Sequence, residues 1–208
     1  MVAPPLPSAS CPVPDDLRDA KAAARSELRR RRAALDAADR VTLSAAAVTR
    51  LVAAPELAGA GVVAAFFGIR DEIDTASLIE ALLAGGRIVV LPRMVGKAQP
   101  LAFHAWRPGE PLEEASMGVL QPPAASPALF PDLVVAPLLG FDLRGHRLGY
   151  GGGFYDRTLR LLRRDRPTPA IGLAFEQQRL DAVPAGEHDE RLDRVATEVA
   201  LYDCGLDG

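Results

Sequence analysis

The residues best suited to chemistry lie between positions 145 and 156, where the sequence reads GHRLGYGGGFYD. Five glycines fall within the first nine of these residues, and glycine lets a backbone approach a phosphate closely and adopt positive φ without strain. An apolar run at 133–137 precedes the segment, and a helix-like run at 155–162 follows it. A strand, a glycine loop and a helix N-terminus together bind anions through backbone N–H groups. The sequence therefore predicts a phosphate site, and the alternative is a mobile glycine loop without a ligand.

Two charged side chains of this segment would complete such a site. Arg147 offers a planar guanidinium that suits phosphate oxygens. Asp156 falls where the first helical turn should begin, either as a helix cap or as a hard-oxygen ligand for a metal ion. The segment lacks the endings of the Walker A and dinucleotide-binding motifs, so we expect an anion site of a different kind.

A basic stripe marks the first predicted helix, which runs from about residue 17 to residue 37 and is capped by Asp15 or Asp16. Its basic residues recur at three- and four-residue spacing and share one face; they are Lys21, Arg25, Arg29 and Arg32. The ordinary interpretation of such a stripe is a solvated surface. Lys21 is one of only two lysines against 22 arginines, and an ammonium contacts a polyphosphate differently from a guanidinium. We therefore single out Lys21 and Arg25 as candidate phosphate ligands.

An acidic segment follows the first predicted strand. Residues 61–67 are uniformly apolar, which is typical of a buried parallel strand. Glu72 comes shortly after, where open α/β sheets bind ligands, and the alternative is a loop carboxylate or a helix-start charge. Trp106, the only tryptophan, is interpreted as a packing residue, with stacking on a flat heterocycle as the alternative.

Predicted strands and predicted helices alternate along the chain. Apolar runs at 87–91, 133–137 and 170–175 predict further strands, and 38–53 and 76–83 predict helices. Such alternation favours an α/β domain with a largely parallel sheet. We also predict an edge strand at 100–106, a long loop-rich connection at 107–131 and a closing strand at 196–202. We divide the chain into a disordered, proline-rich leader at 1–16 and a single domain at 17–208.

Composition narrows the classes of function. With 49% hydrophobic residues the chain of 208 residues is not wholly disordered, and a net charge of -3 predicts no general attraction to nucleic acid or acidic membranes. Cys11 and Cys204 lie far apart without the spacing of metal ligands, which favours a reducing, cytoplasmic location. No apolar run approaches the ~18 residues that span a bilayer.

Three segments together resemble one enzyme family. They are Lys21-Ala-Ala-Ala-Arg25, the run from Phe67 to Thr75, and Phe141-Asp142 followed by Gly145 to Arg157. In this order they are similar to the 5-formyltetrahydrofolate cyclo-ligases, also called 5,10-methenyltetrahydrofolate synthetases, over about residues 19–202. The resemblance implies a single three-layer α/β/α domain with a mostly parallel sheet, Rossmann-like and of the NagB/RpiA/CoA-transferase-like type.

The resemblance also implies an activity. ATP and Mg2+ would drive conversion of 5-formyltetrahydrofolate to 5,10-methenyltetrahydrofolate, with release of ADP and phosphate, in folate one-carbon metabolism. The formyl oxygen would attack the γ-phosphate, and N10 would then close the ring. We expect a cytoplasmic monomer that takes folate with or without a polyglutamate tail and binds neither nucleic acid nor membrane.

The family's functional positions can be placed in this sequence residue by residue. The resemblance implies that ATP is bound by Lys21, Arg25, Arg147, Leu148, Gly149, Tyr150, Gly151, Gly152, Gly153, Phe154 and Tyr155, of which Lys21 and Arg147 would be catalytic. It implies that folate is bound by Phe67, Glu72, Tyr150, Gly151, Gly152, Gly153 and Phe154, and Mg2+ by Asp156 and Asp189.

Two positions depart from the family's usual pattern. Gly152 stands where many members have a lysine, and Tyr150 stands where many have a basic residue or methionine. Two rival functions remain at this point: a non-catalytic relative that binds a phosphorylated ligand, and an RNA-binding module that uses the arginines at 29–32.

Overall fold

The computed structural model describes residues 15–115 and 118–204. The helices are α1 (Asp15–Ala33), α2 (Ala37–Val52), α3 (Ala76–Ala84) and α4 (Phe154–Asp165). The strands are β1 (Val62–Ala64), β2 (Ile88–Met94), β3 (Leu101–Ala105), β4 (Glu113–Glu114), β5 (Leu120–Gln121), β6 (Leu133–Ala136), β7 (Gly140–Phe141), β8 (Arg147–Leu148), β9 (Ala170–Leu173), β10 (Arg194–Ala196) and β11 (Leu201–Asp203).

The first helix differs from its prediction at both ends. The predicted leader at 1–16 lies outside the described residues except for Asp15 and Asp16, and these two already belong to α1. At the other end, α1 stops at Ala33 because Asp36 caps the next helix, where its side chain accepts a 2.8 Å hydrogen bond from the Asp39 N–H. The assignment of residues 17–208 to a single domain stays a prediction.

A seven-stranded sheet has the order β11-β10-β9-β6-β1-β2-β3. Its inner pairs are parallel, and β3 and β11 join antiparallel at the two edges. This confirms the mostly parallel sheet and the edge strand predicted at 100–106. The prediction of a single closing strand at 196–202 is wrong, because a turn that begins at Thr197 separates two strands, β10 and β11. The Thr197 hydroxyl accepts hydrogen bonds from the N–H groups of Val199 and Ala200.

The helices form layers on the two faces of the sheet. Alternate residues of a strand point to opposite faces, so Val63 shares an apolar cluster with Leu51 of α2 and Leu82 of α3. Its neighbour Ala64 shares the opposite cluster with Leu159 of α4. The three-layer α/β/α arrangement is therefore confirmed.

The order of the strands reverses between β1 and β6. From β1 the chain passes through α3 to β2 on one side, whereas from β6 it passes through α4 to β9 on the other. In open α/β sheets, ligands bind outside the carboxyl ends of the strands at such a switch point. The topology therefore places the candidate site beyond the ends of β1 and β6.

A small hairpin, β7 with β8, separates β6 from the glycine loop. This hairpin was not predicted from the sequence. The hairpin is held by Asp142, whose buried carboxylate accepts hydrogen bonds from the N–H groups of Arg144, His146 and Val183 at 2.9–3.1 Å. This fixed turn sets the position of Arg147, the first residue of β8.

Candidate active site

A cavity of about 640 Å³ lies beyond the carboxyl ends of β1, β2 and β6. Several separate parts of the chain line it, including the first half of α1, the segment after β1, the loop between β8 and α4, and the loop before β10. Every site residue predicted from the sequence contributes to its wall; these are Lys21, Arg25, Phe67, Glu72, Arg147, Leu148, Gly149, Tyr150, Gly151, Gly152, Gly153, Phe154, Tyr155, Asp156 and Asp189.

The glycine loop has the backbone that the sequence predicted. Gly151 has φ of 101° and Gly153 has φ of 64°, which side chains other than glycine rarely adopt. Gly153 is the residue before α4, so the loop ends at a helix N-terminus with free backbone N–H groups. A side chain at Gly152 would instead lie 2.8 Å from the Phe154 ring. This combination can bind an anion without a Walker A sequence.

Lys21 and Arg25 of α1 line the same cavity as this loop. The Lys21 Nζ lies 2.5 Å from Oδ2 of Asp189, and the Arg25 Nε donates a 2.8 Å hydrogen bond to the carbonyl of Gly149. Burial and the nearby Arg29 lower the pKa of Arg25, but a guanidinium keeps its charge in proteins. Arg25 thus contacts the glycine loop directly, whereas Lys21 contacts the loop before β10.

The rest of the basic stripe, Arg29 and Arg32, divides between surface and interior, since Arg29 is exposed. Arg30 and Arg31 are exposed and pair with Glu27 on their own helix. Arg32 is buried, with 4% of its side chain exposed. The interpretation of the whole stripe as a solvated face is therefore wrong for Arg32.

Arg147 is buried below the glycine loop and already has protein partners. Its Nη2 lies 2.5 Å from Oδ1 of Asp156, and its Nη1 donates to the carbonyl of Glu190. Burial lowers the pKa of Arg147, and the charges of Asp156 and Asp189 oppose that shift. The guanidinium therefore ties β8 to α4 and to the loop before β10, while one side of it still lines the cavity.

Asp156 is not the helix cap, because Gly153 occupies that position without a side-chain hydrogen bond. Within the described residues, hydrogen bonds reach only one oxygen of Asp156 and one oxygen of Asp189. Oδ1 of Asp156 accepts from Arg147 and the Glu190 N–H, and Oδ2 of Asp189 accepts from Lys21 and the Gly186 N–H. The second oxygen of each carboxylate remains available to a cation.

These two carboxylates do not form a complete metal site by themselves. Among residues 15–115 and 118–204, no group of three or more His, Cys, Asp or Glu side chains could hold a metal ion. A magnesium ion bound here would need further oxygen ligands, and Mg2+ commonly takes these from phosphates and water. The donor set fits a metal that arrives with a nucleotide.

The other end of the cavity is apolar. Phe67 lies edge-on to Trp106, with ring centroids 5.1 Å apart and an interplanar angle of 85°. Trp106 is 9% exposed and donates from Nε1 to the carbonyl of Glu110 at 3.1 Å. The packing interpretation of Trp106 is therefore confirmed, and Phe67 is the aromatic residue of this pair that lines the cavity.

Glu72 is a buried carboxylate at this apolar end. One oxygen accepts a hydrogen bond from the Tyr150 hydroxyl, and the other accepts from the Ile69 N–H at 3.0 Å. Burial raises the pKa of Glu72, while the hydrogen bonds and the charge of Arg32 act in the opposite direction. A buried carboxylate with both oxygens held is suited to accept hydrogen bonds from a ligand.

Sequence patterns did not indicate a role for Arg32 or for many of the residues that line the cavity. Arg32 donates to Asp71 and to the Tyr150 hydroxyl, and its spacing of seven from Arg25 could have indicated that both lie on one helix face. The missed residues that line the cavity include Ile69, Pro92, Met94, Leu101, Gln121 and Pro137. Most of these belong to strands or follow them, so their sequence pattern resembles that of core residues.

Comparisons with known proteins agree with this geometry. A sequence model of the 5-formyltetrahydrofolate cyclo-ligase family matches residues 18–198. A 5-formyltetrahydrofolate cyclo-ligase from Escherichia coli (strain K12) is 33% identical over 181 residues, which cover 85% of this chain and 99% of the relative. The cyclo-ligase from Mus musculus is 30% identical over 193 residues, which cover 88% and 95% of the two chains.

Solved structures of 5,10-methenyltetrahydrofolate synthetases are also similar to this chain. The solution structure of Aquifex aeolicus 5,10-methenyltetrahydrofolate synthetase has a TM-score of 0.75 and 26% identity, over 90% of this chain and 94% of that one. A synthetase from Mycoplasma pneumoniae has a TM-score of 0.68 at 24% identity, covering 86% and 98%, and supports the fold alone. No helix in the described parts of this chain is long and apolar enough to cross a membrane.

Proposed function

The chain belongs to the 5-formyltetrahydrofolate cyclo-ligase family, and we propose that it converts 5-formyltetrahydrofolate to 5,10-methenyltetrahydrofolate with consumption of ATP. One observation carries this proposal. A cavity of about 640 Å³ joins a cationic glycine loop at one end to an aromatic side chain and a buried carboxylate at the other. Such a cavity can hold two different substrates with their reacting groups in contact.

The nucleotide would bind at the cationic end. The N–H groups of the glycine loop and of the first turn of α4 suit phosphate oxygens. Lys21 and Arg25 would add positive charge, and the terminal nitrogens of Arg25 make no hydrogen bond within the described residues. Arg147 would orient Asp156, to which it donates. Its own contact with a phosphate, which the resemblance implies, stays a prediction.

A magnesium ion would bind between the nucleotide and two carboxylates. The unoccupied hydrogen-bonding positions on Asp156 and Asp189 support this assignment, since Mg2+ prefers carboxylate and phosphate oxygens. Once bound, the ion would neutralise charge on the β- and γ-phosphates during phosphoryl transfer. Lys21 would hold Asp189 in place through their 2.5 Å contact.

The folate would bind at the apolar end, with Phe67 against its ring system and Glu72 accepting hydrogen bonds from pterin N–H groups. In the first step, the formyl oxygen attacks the γ-phosphorus and the bond from that phosphorus to ADP breaks. In the second, N10 attacks the formyl carbon and loses its proton, the carbon–oxygen bond breaks, and phosphate leaves with the formyl oxygen. Phosphorylation makes that oxygen a good leaving group, so the protein's task is to position and neutralise.

Two broader features belong to the same proposal. We expect a monomer in the cytoplasm that accepts folate with or without a polyglutamate tail. The rival RNA-binding function loses support because Arg30 and Arg31 pair with Glu27 and Arg32 is buried. The non-catalytic alternative is disfavoured because all the predicted ligand-binding residues line one cavity.

The purified protein tests the proposal directly. With ATP, magnesium and 5-formyltetrahydrofolate, we expect the near-ultraviolet absorbance of the methenyl product to rise together with equimolar ADP. A reaction without ATP serves as the control. If folded protein formed no product at any magnesium concentration, the proposed activity would be wrong.

A further inference from the structure

Arg32 is the one buried residue in a run of four arginines, 29–32. Its neighbours Arg30 and Arg31 have 79% and 42% of their side chains exposed, whereas Arg32 has 4% exposed. Moving a guanidinium out of water is costly unless charged and hydrogen-bonding partners replace the water. The burial of this one arginine therefore indicates that its contacts are specific.

Those contacts lead from α1 towards the cavity. The Arg32 Nε and Nη2 donate to the two oxygens of Asp71 at 2.9 and 3.1 Å, which fixes the plane of the guanidinium. The remaining terminal nitrogen, Nη1, donates to the hydroxyl oxygen of Tyr150 at 2.8 Å. It also lies 3.7 Å from Oε1 of Glu72.

The Tyr150 hydroxyl links Arg32 to Glu72 by hydrogen bonds. Because its hydroxyl oxygen accepts from Arg32, its proton is directed to Oε1 of Glu72. The ring is also fixed, since the guanidinium carbons of Arg29 and Arg32 lie 6.0 and 5.8 Å from its centre. The second oxygen of Glu72 is held by the Ile69 N–H.

We propose that Arg32 is a positioning residue that orients the Glu72 carboxylate for the folate through the hydroxyl of Tyr150. This inference rests on the proposed function, in which Glu72 accepts hydrogen bonds from the folate. Arg32 does not itself line the cavity, so it acts through Tyr150. The arrangement also makes Tyr150, which belongs to the nucleotide loop, a direct partner of the folate-binding carboxylate.

The same contacts favour the ionised form of Glu72 and so oppose the effect of its burial. The charged and titratable groups around it are Arg32 from α1, Tyr150 from the glycine loop, Tyr155 from α4 and its neighbour Asp71. Burial raises the pKa of Glu72, whereas the hydrogen bond from Tyr150 and the charge of Arg32 lower it. Without the Tyr150 hydroxyl, the pKa should rise further. A protonated Glu72 would then accept fewer hydrogen bonds at mildly acidic pH.

Binding measurements on the full chain test this inference. Isothermal titration calorimetry with 5-formyltetrahydrofolate, without nucleotide, would compare the wild type with Tyr150→Phe, Arg32→Gln and the control Arg31→Gln. Loss of a hydrogen bond to a charged group predicts about tenfold or greater weakening in the first two variants. Their affinity should also begin to fall at a higher pH than that of the wild type. The control should match the wild type, since within the described residues the Arg31 side chain hydrogen-bonds only to Glu27.

Each outcome has a defined meaning. Tyr150→Phe keeps the ring and removes only the hydroxyl through which Arg32 would act, so unchanged binding in this variant is decisive even if Arg32→Gln does not fold. If Tyr150→Phe bound folate with the affinity and pH profile of Arg31→Gln, the inference would be overturned while the proposed function stood. If the wild type itself did not bind the folate, the proposed function would fail and this inference with it.

Discussion

Replacement of Lys21 by alanine should impair the use of ATP far more than replacement of a neighbouring surface arginine. The Lys21 Nζ lies 2.5 Å from Oδ2 of Asp189, and the two side chains are only 15% and 19% exposed. A hydrogen bond to a charged group contributes about 1.5–3 kcal/mol. Each 1.4 kcal/mol changes an equilibrium or rate constant about tenfold. We therefore expect kcat/KM for ATP to fall roughly 10- to 150-fold.

The same substitution should also reduce stability. Without Lys21, the partly buried Asp189 side chain keeps, among residues 15–115 and 118–204, only the hydrogen bond from the Gly186 N–H. Removing one partner of a fully buried ion pair costs about 3–5 kcal/mol. Because this pair is partly exposed, we expect a smaller loss of about 1–2 kcal/mol in the free energy of unfolding. The loss in catalysis should therefore appear in protein that is still folded.

Steady-state kinetics with varied ATP, at saturating 5-formyltetrahydrofolate and magnesium, would measure the first effect, and urea denaturation the second. Arg30→Ala is the matched control, because Arg30 lies on the same helix, is 79% exposed and, in the part of the chain that the structure describes, pairs only with Glu27. It should change kcat/KM by less than about twofold. Equal losses in the two variants would refute the assignment of Lys21 to the phosphates.

Three further predictions concern the loop, the hairpin and the metal. Gly151→Ala should lower stability by about 1–3 kcal/mol and weaken ATP binding, because alanine is strained at φ of 101°; urea denaturation and nucleotide titration would measure this. Asp142→Asn should destabilise the chain by about 1.5–3 kcal/mol at neutral pH, since a buried carboxylate loses its charge-assisted hydrogen bonds. Although burial raises the pKa of Asp142, its hydrogen bonds hold it below the usual value, so the stabilisation is present above about pH 4 and is lost as the pH falls through the folded pKa. The difference between Asp142→Asn and the wild type should therefore shrink in acid-dependent denaturation. Finally, chelation should abolish activity, and Asp156→Asn should raise the magnesium concentration needed for half-maximal rate about tenfold or more.

Each of these three has an internal control. Gly149→Ala should be tolerated, because no atom lies within 4 Å of the added Cβ and φ is not positive there; equal losses at Gly149 and Gly151 would contradict the argument from φ. A constant difference between Asp142→Asn and the wild type at all pH values would exclude the linkage. Asp165→Asn, at the exposed end of α4, should leave the magnesium requirement unchanged, and a shared shift would argue against a role specific to Asp156.

Local patterns in the sequence were sufficient for most of the fold. Apolar runs predicted the central strands because a strand buried on both faces needs no polar residues, and the alternation of strands with helices predicted a parallel sheet. The hairpin of β7 and β8 was missed because its strands are only two residues long. The division of 196–202 into two strands depends on one threonine turn, which hydrophobic periodicity does not report.

The sequence by itself, through its glycine segment and its resemblance to the cyclo-ligases, indicated which residues could form the site, because constrained turns with positive φ favour glycine. Only the tertiary structure decided which side chains form ion pairs and hydrogen bonds with one another. Lys21 meets Asp189 across 168 positions, and Arg32 meets Tyr150 across 118. It also decided that Arg32 is buried while Arg30 and Arg31 are exposed. The physical reason is that ion pairing and burial depend on distance and desolvation in three dimensions, which spacing along one helix does not contain.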